Sequence, residues 1–445
     1  MVEPPKVSLA TTWRKVSAAE LREAIAKHQR FVRAQPEGAR AIFTFCDLSR
    51  LAFAGGDLSG SDFTGAKMNG IRAHKAGLRS AVLYGADLRI ADLTQADLTR
   101  ADLRGACLRG ANLSEARLVE GDLREGTIAV QDTGGELSPM LFANMPTDMA
   151  VANMKGANLS SARISNGIAV SVDLTDAILR NAKLMRADFR NADLTGVDFD
   201  GADLSQVNMT GAKLCGAILS NVDLSGATMD GTDLMGAVLD EKSSKALREL
   251  GAGNLPLSAE KLSPPMSERL DQHALWVKTN GREGKRLVLE RFDLRGIDLS
   301  ERNISGAVLR GCVLDRARAR RTIMTLVDLS MSSLVEADLS GADLRAATLD
   351  RTFLARANLT GAMLNPVDIP TAASALQTRG ASLRQARLKG ARIAGASLQG
   401  ANLAGADFDE ADLSNADLRG AEVKEARFGT ANLQGARMDD RSVVR

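Results

Sequence analysis

Few side chains in this sequence are of the types that carry out acid–base, nucleophilic or metal chemistry. The 445 residues include three histidines and one tyrosine. His28, His74, His273 and Tyr84 belong to no nucleophile elbow, phosphate-binding loop or metal-ligand spacing. The sequence therefore predicts a protein with no catalytic residues, no cofactor and no metal site.

Aspartate is frequent, and paired carboxylates could serve general acid–base catalysis. Most of these aspartates, however, directly precede a leucine, as Asp87 precedes Leu88 and Asp102 precedes Leu103. A short polar side chain at a bend accepts hydrogen bonds from the nearby backbone. We therefore expect the aspartates to stabilise bends, and we do not expect an enzyme.

The four cysteines are spaced too widely for a zinc site or a disulfide framework. Cys46 and Cys312 stand two residues before a leucine, whereas Cys107 and Cys215 adjoin one. The expected role of all four is to fill space as unreactive thiols.

Leucine, or a residue that substitutes for it, recurs every fifth position, as in the run from Leu88 to Leu123. On an α-helix five residues turn through about 500°, so the leucines would not share one face. On a strand an odd spacing would place successive leucines on opposite faces, so neither element fits. Each pentad must therefore contain a corner. The residue two before the leucine is usually small, as Ala86 is, and shares its inward face. Short repeats of this kind are typical of a solenoid.

The pentad Ala101-Asp102-Leu103-Arg104-Gly105 closely resembles the repeat of the pentapeptide-repeat protein family, and the register is kept over dozens of pentads. The resemblance implies a right-handed quadrilateral β-helix with four pentads in each coil. It does not imply one function, because known members range from topoisomerase-protecting DNA mimics to proteins without an assigned activity.

Interruptions of the repeat divide the chain into arrays. The second half repeats the first with an offset of 246, which relates Phe43 to Leu289 and Ala73 to Ala319. The prediction is an all-β solenoid of two tandem right-handed quadrilateral β-helices, at 1–240 and 267–445, each preceded by a capping α-helix. The arrays span 43–128, 149–239, 289–364 and 383–443, the breaks 129–148 and 365–382, and the proline-containing linker 241–266.

Two amphipathic segments predict the capping helices. Ser17-Ala18-Ala19-Glu20 is a capping box, and Ser267 begins the second helix. Such helices would cover the unpaired backbone groups that a β-helix exposes at its ends. A short helix from Glu241 to Leu250 would do the same after the second array. Nothing comparable follows Met438, so the C-terminal coil is the expected edge for a homodimer.

Basic residues cluster at equivalent places in the two halves. Ala73 and Ala319 stand at leucine positions and are surrounded by cations. An anion or partner site is one interpretation, and a solvated face beside an ancestral packing defect is the other. The residues are Arg72, His74 and Lys75 in the first half and Arg316, Arg318, Arg320 and Arg321 in the second.

An acidic segment extends from Asn191 to Asp240. With four pentads in a coil, Asp203 and Asp223 would stack on one face. Charge ladders of this kind are how topoisomerase-protecting members of the family are thought to imitate the DNA backbone. Elsewhere Arg and Lys interrupt the pattern, so a DNA mimic acting on a type II topoisomerase such as gyrase is the second hypothesis.

The first break contains an apolar patch, Met140, Leu141 and Phe142, which would either contact a partner or fold back over a sheet edge. The net charge of +2 argues against direct nucleic-acid binding. No apolar stretch has the length of a signal-peptide core or a membrane span, so we expect a cytoplasmic protein. The leading hypothesis is a non-enzymatic protein–protein interaction scaffold with an unidentified protein partner.

Overall fold

The pentads stack as successive coils of a β-helix. The computed structural model describes residues 13–126, 129–131, 137–139, 145–253, 255–370 and 376–439. Short parallel bridges join residues 20 positions apart, as Ile42 joins Asp62 and Asp87 joins Cys107. Four pentads therefore complete one coil, which confirms the solenoid predicted from the period of five.

Helices and named strands are few and short. The α-helices are α1 (Ala18–Val32), α2 (Glu241–Glu249) and α3 (Met266–Lys278), and a 3-10 helix spans Ala259–Lys261. The strands are β1 (Arg14–Lys15), β2 (Cys46–Asp47), β3 (Ala129–Gln131), β4 (Leu137–Pro139), β5 (Ile218–Leu219), β6 (Val238–Leu239), β7 (Leu257–Ser258), β8 (Val288–Glu290), β9 (Phe292–Asp293), β10 (Val308–Arg310), β11 (Val367–Pro370) and β12 (Leu376–Arg379).

Each pentad has a buried pair and a bend. Leu88 and Ala86 are buried, as are their equivalents along the coils. The residue two after the leucine adopts a left-handed backbone, with φ of 60° at Gly85 and 58° at Gln95. The Asp92 carboxylate accepts a hydrogen bond from the Thr94 backbone N–H at 3.1 Å. The predicted role of the aspartates in stabilising bends is confirmed at this and many equivalent positions.

Each break contains an antiparallel hairpin, β3 with β4 and β11 with β12. Across the first break Cys107 pairs with Asp148, 41 positions on, and across the second Thr348 pairs with Ser382, 34 positions on. The hairpins are thus insertions between coils that stack directly. The predicted breaks end too late, because Asp148 and Ser382 already belong to the coils.

A strand and a helix precede the first coil of each half. Strand β1 pairs in parallel with β2, and β7 pairs in parallel with β9. Sequence analysis missed β1 and β7, since two residues give no periodic signal. Helix α1 has the predicted cap, with Ser17 Oγ accepting from the Glu20 N–H at 3.1 Å. Helix α3 begins at Met266, not at Ser267, and lacks a side-chain cap because Pro265 precedes it.

The predicted helix after the second array is confirmed as α2. Its cap is Asp240, whose carboxylate accepts from the Ser243 N–H at 2.7 Å. Leu247 and Ser243 are its buried residues. The linker at 241–266 thus contains the predicted helix, α2, together with β7 and the 3-10 helix, which were not predicted.

The chain forms two compact units. The first comprises Met1–Asp233 with Leu239–Gly253, and the second comprises Leu234–Val238 with Asn254–Arg445. Aromatic rings stack inside each of them, Phe43 on Phe63 in the first and Phe408 on Phe428 in the second. Among the helices described, none has the length and apolarity needed to cross a membrane.

Candidate partner-binding groove

The first predicted basic cluster lies on the surface of the first unit. Arg72 and Lys75 are exposed, His74 is half-buried, and Ala73 between them is fully buried. Within the described part of the chain, neither Arg72 nor Lys75 has a carboxylate within ion-pair distance. The cluster is therefore electrostatically available.

The second basic cluster is mostly neutralised by its own unit. Arg316 forms an ion pair with Glu336 at 2.9 Å. Arg318 pairs with Asp298 at 3.1 Å, and Arg320 pairs with Asp338 at 3.3 Å. Arg321 is the one member without an ion pair to a described residue. Equivalent positions in the two halves thus carry different surface electrostatics.

The predicted acidic ladder is only two carboxylates long. Asp203 pairs with Asp223 in the next coil. The same position in the two preceding coils is occupied by Arg163 and Lys183, and the four residues form one column along the stack. Asp223 accepts a hydrogen bond from the Ser225 backbone N–H at 3.0 Å, and this bond lowers the pKa of the Asp223 carboxyl. The column is therefore of mixed sign.

Two other aspartates of the acidic segment are neutralised locally. Asp193 lies 3.5 Å from Lys213, and Asp198 lies 2.5 Å from Arg180. These two ion pairs reduce the negative charge locally, although the segment from Asn191 to Asp240 contains eight aspartates and a single basic residue, Lys213.

The apolar patch Met140, Leu141 and Phe142 lies outside the described residues. The base of the same break is described: the Gly126 N–H donates to the Met145 carbonyl at 3.1 Å. Thr147 occupies the small inward position of the following pentad and is fully buried.

A groove with a volume of about 350 Å³ lies on the first unit beside this base. Its floor consists of small residues from successive coils, Gly65, Gly85 and Gly105 together with the alanines that follow them. Trp13 and Phe45 line the end at the first coil, and Gly126, Met145 and Pro146 line the other end. Four coil spacings of about 4.8 Å separate Phe45 from Gly126, so the groove is roughly 19 Å long.

The aromatic end of the groove is fixed by specific contacts. Trp13 Nε1 donates a hydrogen bond to the Gly65 carbonyl at 2.8 Å. Lys67 Nζ lies 3.8 Å from the centre of the Trp13 ring, a cation–π contact. The Phe45 ring covers Gly65 so closely that a Cβ there would collide with it. Both rings are therefore held in place.

Two arginines at the rim of the groove form ion pairs with nearby aspartates. Arg89 binds the Asp87 carboxylate at 2.6 Å. Arg104 binds Asp102 at 2.7 Å and lies over the Tyr84 ring at 5.0 Å. Of the floor, Gly85 and Gly105 are half-buried and accessible, whereas Gly65 and the alanines are buried.

Cys107 is the one thiol that lines the groove, and it is half-buried. Burial is the largest effect on this group and raises the pKa of the Cys107 thiol, so the thiol is protonated at neutral pH. Across the described ranges, no three His, Cys, Asp or Glu side chains are grouped so as to hold a metal ion. The groove is suited to packing.

Sequence analysis missed this groove, although one signal for it was present. Glycine recurs at Gly65, Gly85 and Gly105, which are 20 residues apart and therefore stack. The register of the coil must be known before this column can be recognised. The contributions of Trp13, Met145 and Pro146 had no signal in the repeat.

Four five-residue repeats complete each coil, and the coils stack on one another. This architecture is that of a repeat-protein solenoid. The chain belongs to the pentapeptide-repeat family, since eight segments that cover more than half of it match the family described as pentapeptide repeats. The matched residues are 41–79, 76–114, 170–206, 202–240, 293–330, 337–368, 379–402 and 396–435. No curated protein matches the chain.

Several solved structures of pentapeptide-repeat proteins are similar to this chain. HetL of the cyanobacterium Nostoc sp. strain PCC 7120, involved in regulation of heterocyst differentiation, is 23% identical over 79% of this chain and 92% of its own, with a TM-score of 0.14. QnrB1, a plasmid-mediated fluoroquinolone resistance protein, is 21% identical over 48% and 98%, with a TM-score of 0.27. Rfr23 of the cyanobacterium Cyanothece 51142 is 28% identical over 29% and 89%, with a TM-score of 0.19. At these TM-scores the likenesses support no statement about function.

Proposed function

We propose that this chain is a non-enzymatic protein–protein interaction scaffold, built as two tandem β-helices that are each preceded by a capping helix. The groove of the first unit is the contact site for a protein partner. One observation carries the proposal: the leucine and alanine side chains of the pentads are buried inside the coils, whereas the floor at Gly85 and Gly105 borders a space that no described side chain fills.

The shape of the groove favours an extended segment of a protein. A length of roughly 19 Å accommodates about six extended residues at about 3.3 Å each. Its floor is apolar and its rim charges are paired, which is the arrangement of an interface with a hydrophobic centre and a polar edge. The protonated Cys107 thiol and the paired Asp87 carboxylate offer contact surface and no activated nucleophile.

The contacts of α1 and α3 support the capping role that we propose for them. His28 on α1 accepts the backbone N–H of Ala41, and His273 on α3 accepts that of Leu287. Because Ala41 and Leu287 begin the first coils of the two halves, each helix satisfies a backbone donor that the coil would otherwise expose at its end.

The test uses two deletions that preserve the five-residue period. Deleting residues 126–146 joins Glu125 to Thr147 and leaves Leu123 and Met149 five positions apart. The variant therefore retains continuous coils but loses the wall at Met145 and Pro146. We expect a partner recovered by affinity capture with the intact chain, and then purified, to bind this variant at least tenfold more weakly.

The matched control deletes residues 367–380, which removes the hairpin of the second unit and leaves Leu364 and Leu383 five positions apart. This variant should bind the purified partner like the intact chain. Equal affinity of all three proteins for every captured partner would contradict the proposal.

The alternative function is a DNA-mimic modulator of a type II topoisomerase. It rests on the stacked pair Asp203 and Asp223, and we favour it less because Lys183 and Arg163 occupy the same column. A gyrase supercoiling assay, with and without a quinolone, separates the two. Protection of gyrase at stoichiometric concentration would favour the mimic, whereas the scaffold predicts no effect even in excess.

We also propose the C-terminal coil as a contact edge for a second copy of the chain. In the last described coil Asp417 pairs with Arg437, and Leu433 is 37% exposed. Sedimentation over a hundredfold concentration range should show a dimer that Leu433→Asp weakens. A monomer at every concentration would remove this surface.

A further inference from the structure

We propose that the groove of the first unit binds an aromatic side chain of the partner's extended segment. This inference rests on the scaffold function proposed above and names the ligand chemistry of the same site. It comes from comparing the groove with the equivalent corner of the second unit, each considered within its own unit.

The internal duplication gives a residue-by-residue correspondence at this corner. The offset of 246 relates Gly85 to Met331, Gly105 to Arg351 and Cys107 to Phe353. The pairing between successive coils shows the same correspondence. Cys107 pairs with Asp87 of the coil before it, and Phe353 pairs with Ser333, which is 246 positions after Asp87.

The second unit fills its own corner with an aromatic ring. Phe353 is only 7% exposed, and the residues at the same position of the two preceding coils, Val313 and Ser333, are buried as well. The Arg387 guanidinium lies over its ring at 5.2 Å. Arg351 Nε donates to Gln385 Oε1 at 3.0 Å across the same corner. The smaller space left there is bordered by polar groups, including Asp350 and Arg384.

Among the residues that the structure describes, no side chain fills the same corner of the first unit. Left-handed backbone does not by itself require glycine at this corner, because Met331 and Arg351 adopt φ of 58° and 56° at the equivalent positions. The glycines Gly85 and Gly105 therefore have another effect, which is to leave room above the floor. Cys107, in place of a phenylalanine, leaves more.

The residues around this space are suited to a ring. A cavity of about 150 Å³ accommodates benzene in another protein, and the groove has a volume of about 350 Å³. Trp13 and Phe45 at one end offer edges and faces for aromatic contacts. The guanidinium groups of Arg89 and Arg104 at the rim provide cation–π partners.

The experiment measures binding of N-acetyl-tryptophanamide and N-acetyl-leucinamide to the full chain labelled with ¹³C at the methionine methyl groups. The Met145 methyl lines the groove, and the buried Met324 methyl of the second unit is an internal reference. We expect the tryptophan amide to shift the Met145 resonance with a millimolar Kd and to leave Met324 unchanged. The leucine amide should bind at least fivefold more weakly.

Two variants test the location. Cys107→Phe places the second unit's ring in the groove, and the expected result is loss of the Met145 shift while the Met324 resonance keeps its position. Ile178→Phe places a ring at the same pentad position of a coil outside the groove, and this control should bind like the unmodified chain. If Cys107→Phe does not fold, Gly85→Met, which copies Met331, replaces it with the same expectation.

Equal binding of the two amides, or a Met145 shift that survives the filled groove, would overturn the aromatic preference. These outcomes are distinguishable from failure of the scaffold proposal, because that proposal is judged by partner affinity of the deletion of 126–146. If the partner requires residues 126–146 but neither amide binds, the scaffold proposal is retained and the aromatic preference is rejected.

Discussion

His28 accepts a hydrogen bond at Nδ1 from the backbone N–H of Ala41 at 3.0 Å, and its Nε2 lies 2.9 Å from the Ser59 carbonyl oxygen. The pair repeats as His273 and Leu287 at 3.0 Å in the second half. A buried histidine thus ties a helix to the first coil in each unit.

Replacing His28 with leucine should lower the free energy of unfolding by about 1–3 kcal/mol, because the buried N–H of Ala41 loses its acceptor. Urea unfolding followed by circular dichroism measures the change. Arg22→Ala, at an exposed position of the same helix, is the control and should stay within about 0.5 kcal/mol of the unmodified chain. A His28→Leu variant as stable as this control would show that the tie is dispensable.

The hydrogen bond between His273 and the Leu287 N–H should weaken in mild acid. Burial, with a smaller effect from Arg286, lowers the pKa of His273, so the unfolded chain binds the proton more readily than the folded one. The stabilisation is then complete above the unfolded pKa of about 6.5 and is lost as the pH falls below that value and through the lower pKa of the folded state. Hydrogen exchange of the Leu287 amide between pH 7.5 and 5, after correction for intrinsic rates, should show falling protection. The same slope in His273→Leu would contradict this assignment.

Ile90 is a strained residue at a bend. It is β-branched, 65% exposed, and has a left-handed φ of 51°. We expect Ile90→Gly to stabilise the first unit by about 1 kcal/mol, since glycine adopts this backbone without the Cβ clash. Ile42 is the control: it is 59% exposed, and its backbone is not left-handed. Ile42→Gly should therefore lower the free energy of unfolding by about 0.5–1 kcal/mol. Thermal unfolding distinguishes the opposite signs, and equal signs would refute the strain.

The two basic clusters should respond differently to charge reversal. Reversing Arg318 and Arg320 to glutamate places them beside Asp298 and Asp338 and should lower the urea midpoint. Reversing Arg72 and Lys75 breaks no ion pair with a described residue and should leave the midpoint unchanged. If the first cluster also contacts the partner, that second variant alone should slow association and reduce its salt dependence. If this variant binds the partner as the unmodified chain does, the first cluster is only a solvated face.

Sequence reasoning was most successful where the determinant is local. The burial of Leu88 with Ala86 follows from residues two apart, and the bend at Asp92 depends on Thr94, also two residues away. The stacking of Asp203 on Asp223 needed only the size of the coil. The start of α3 was misplaced by one residue because a proline, and not a side-chain cap, precedes it.

The five-residue period thus determined the solenoid, its core and its interruptions, because each pentad encodes its own corner through short-range contacts. The tertiary structure decided which side chains meet across coils. It set Arg316 beside Glu336, and it brought Trp13, Gly85 and Met145 to one groove. Those contacts join residues separated by 20 positions or more, and the hairpin in the first break changes that separation to 41 between Cys107 and Asp148. The candidate site therefore depends on the stacking register, which no single pentad contains.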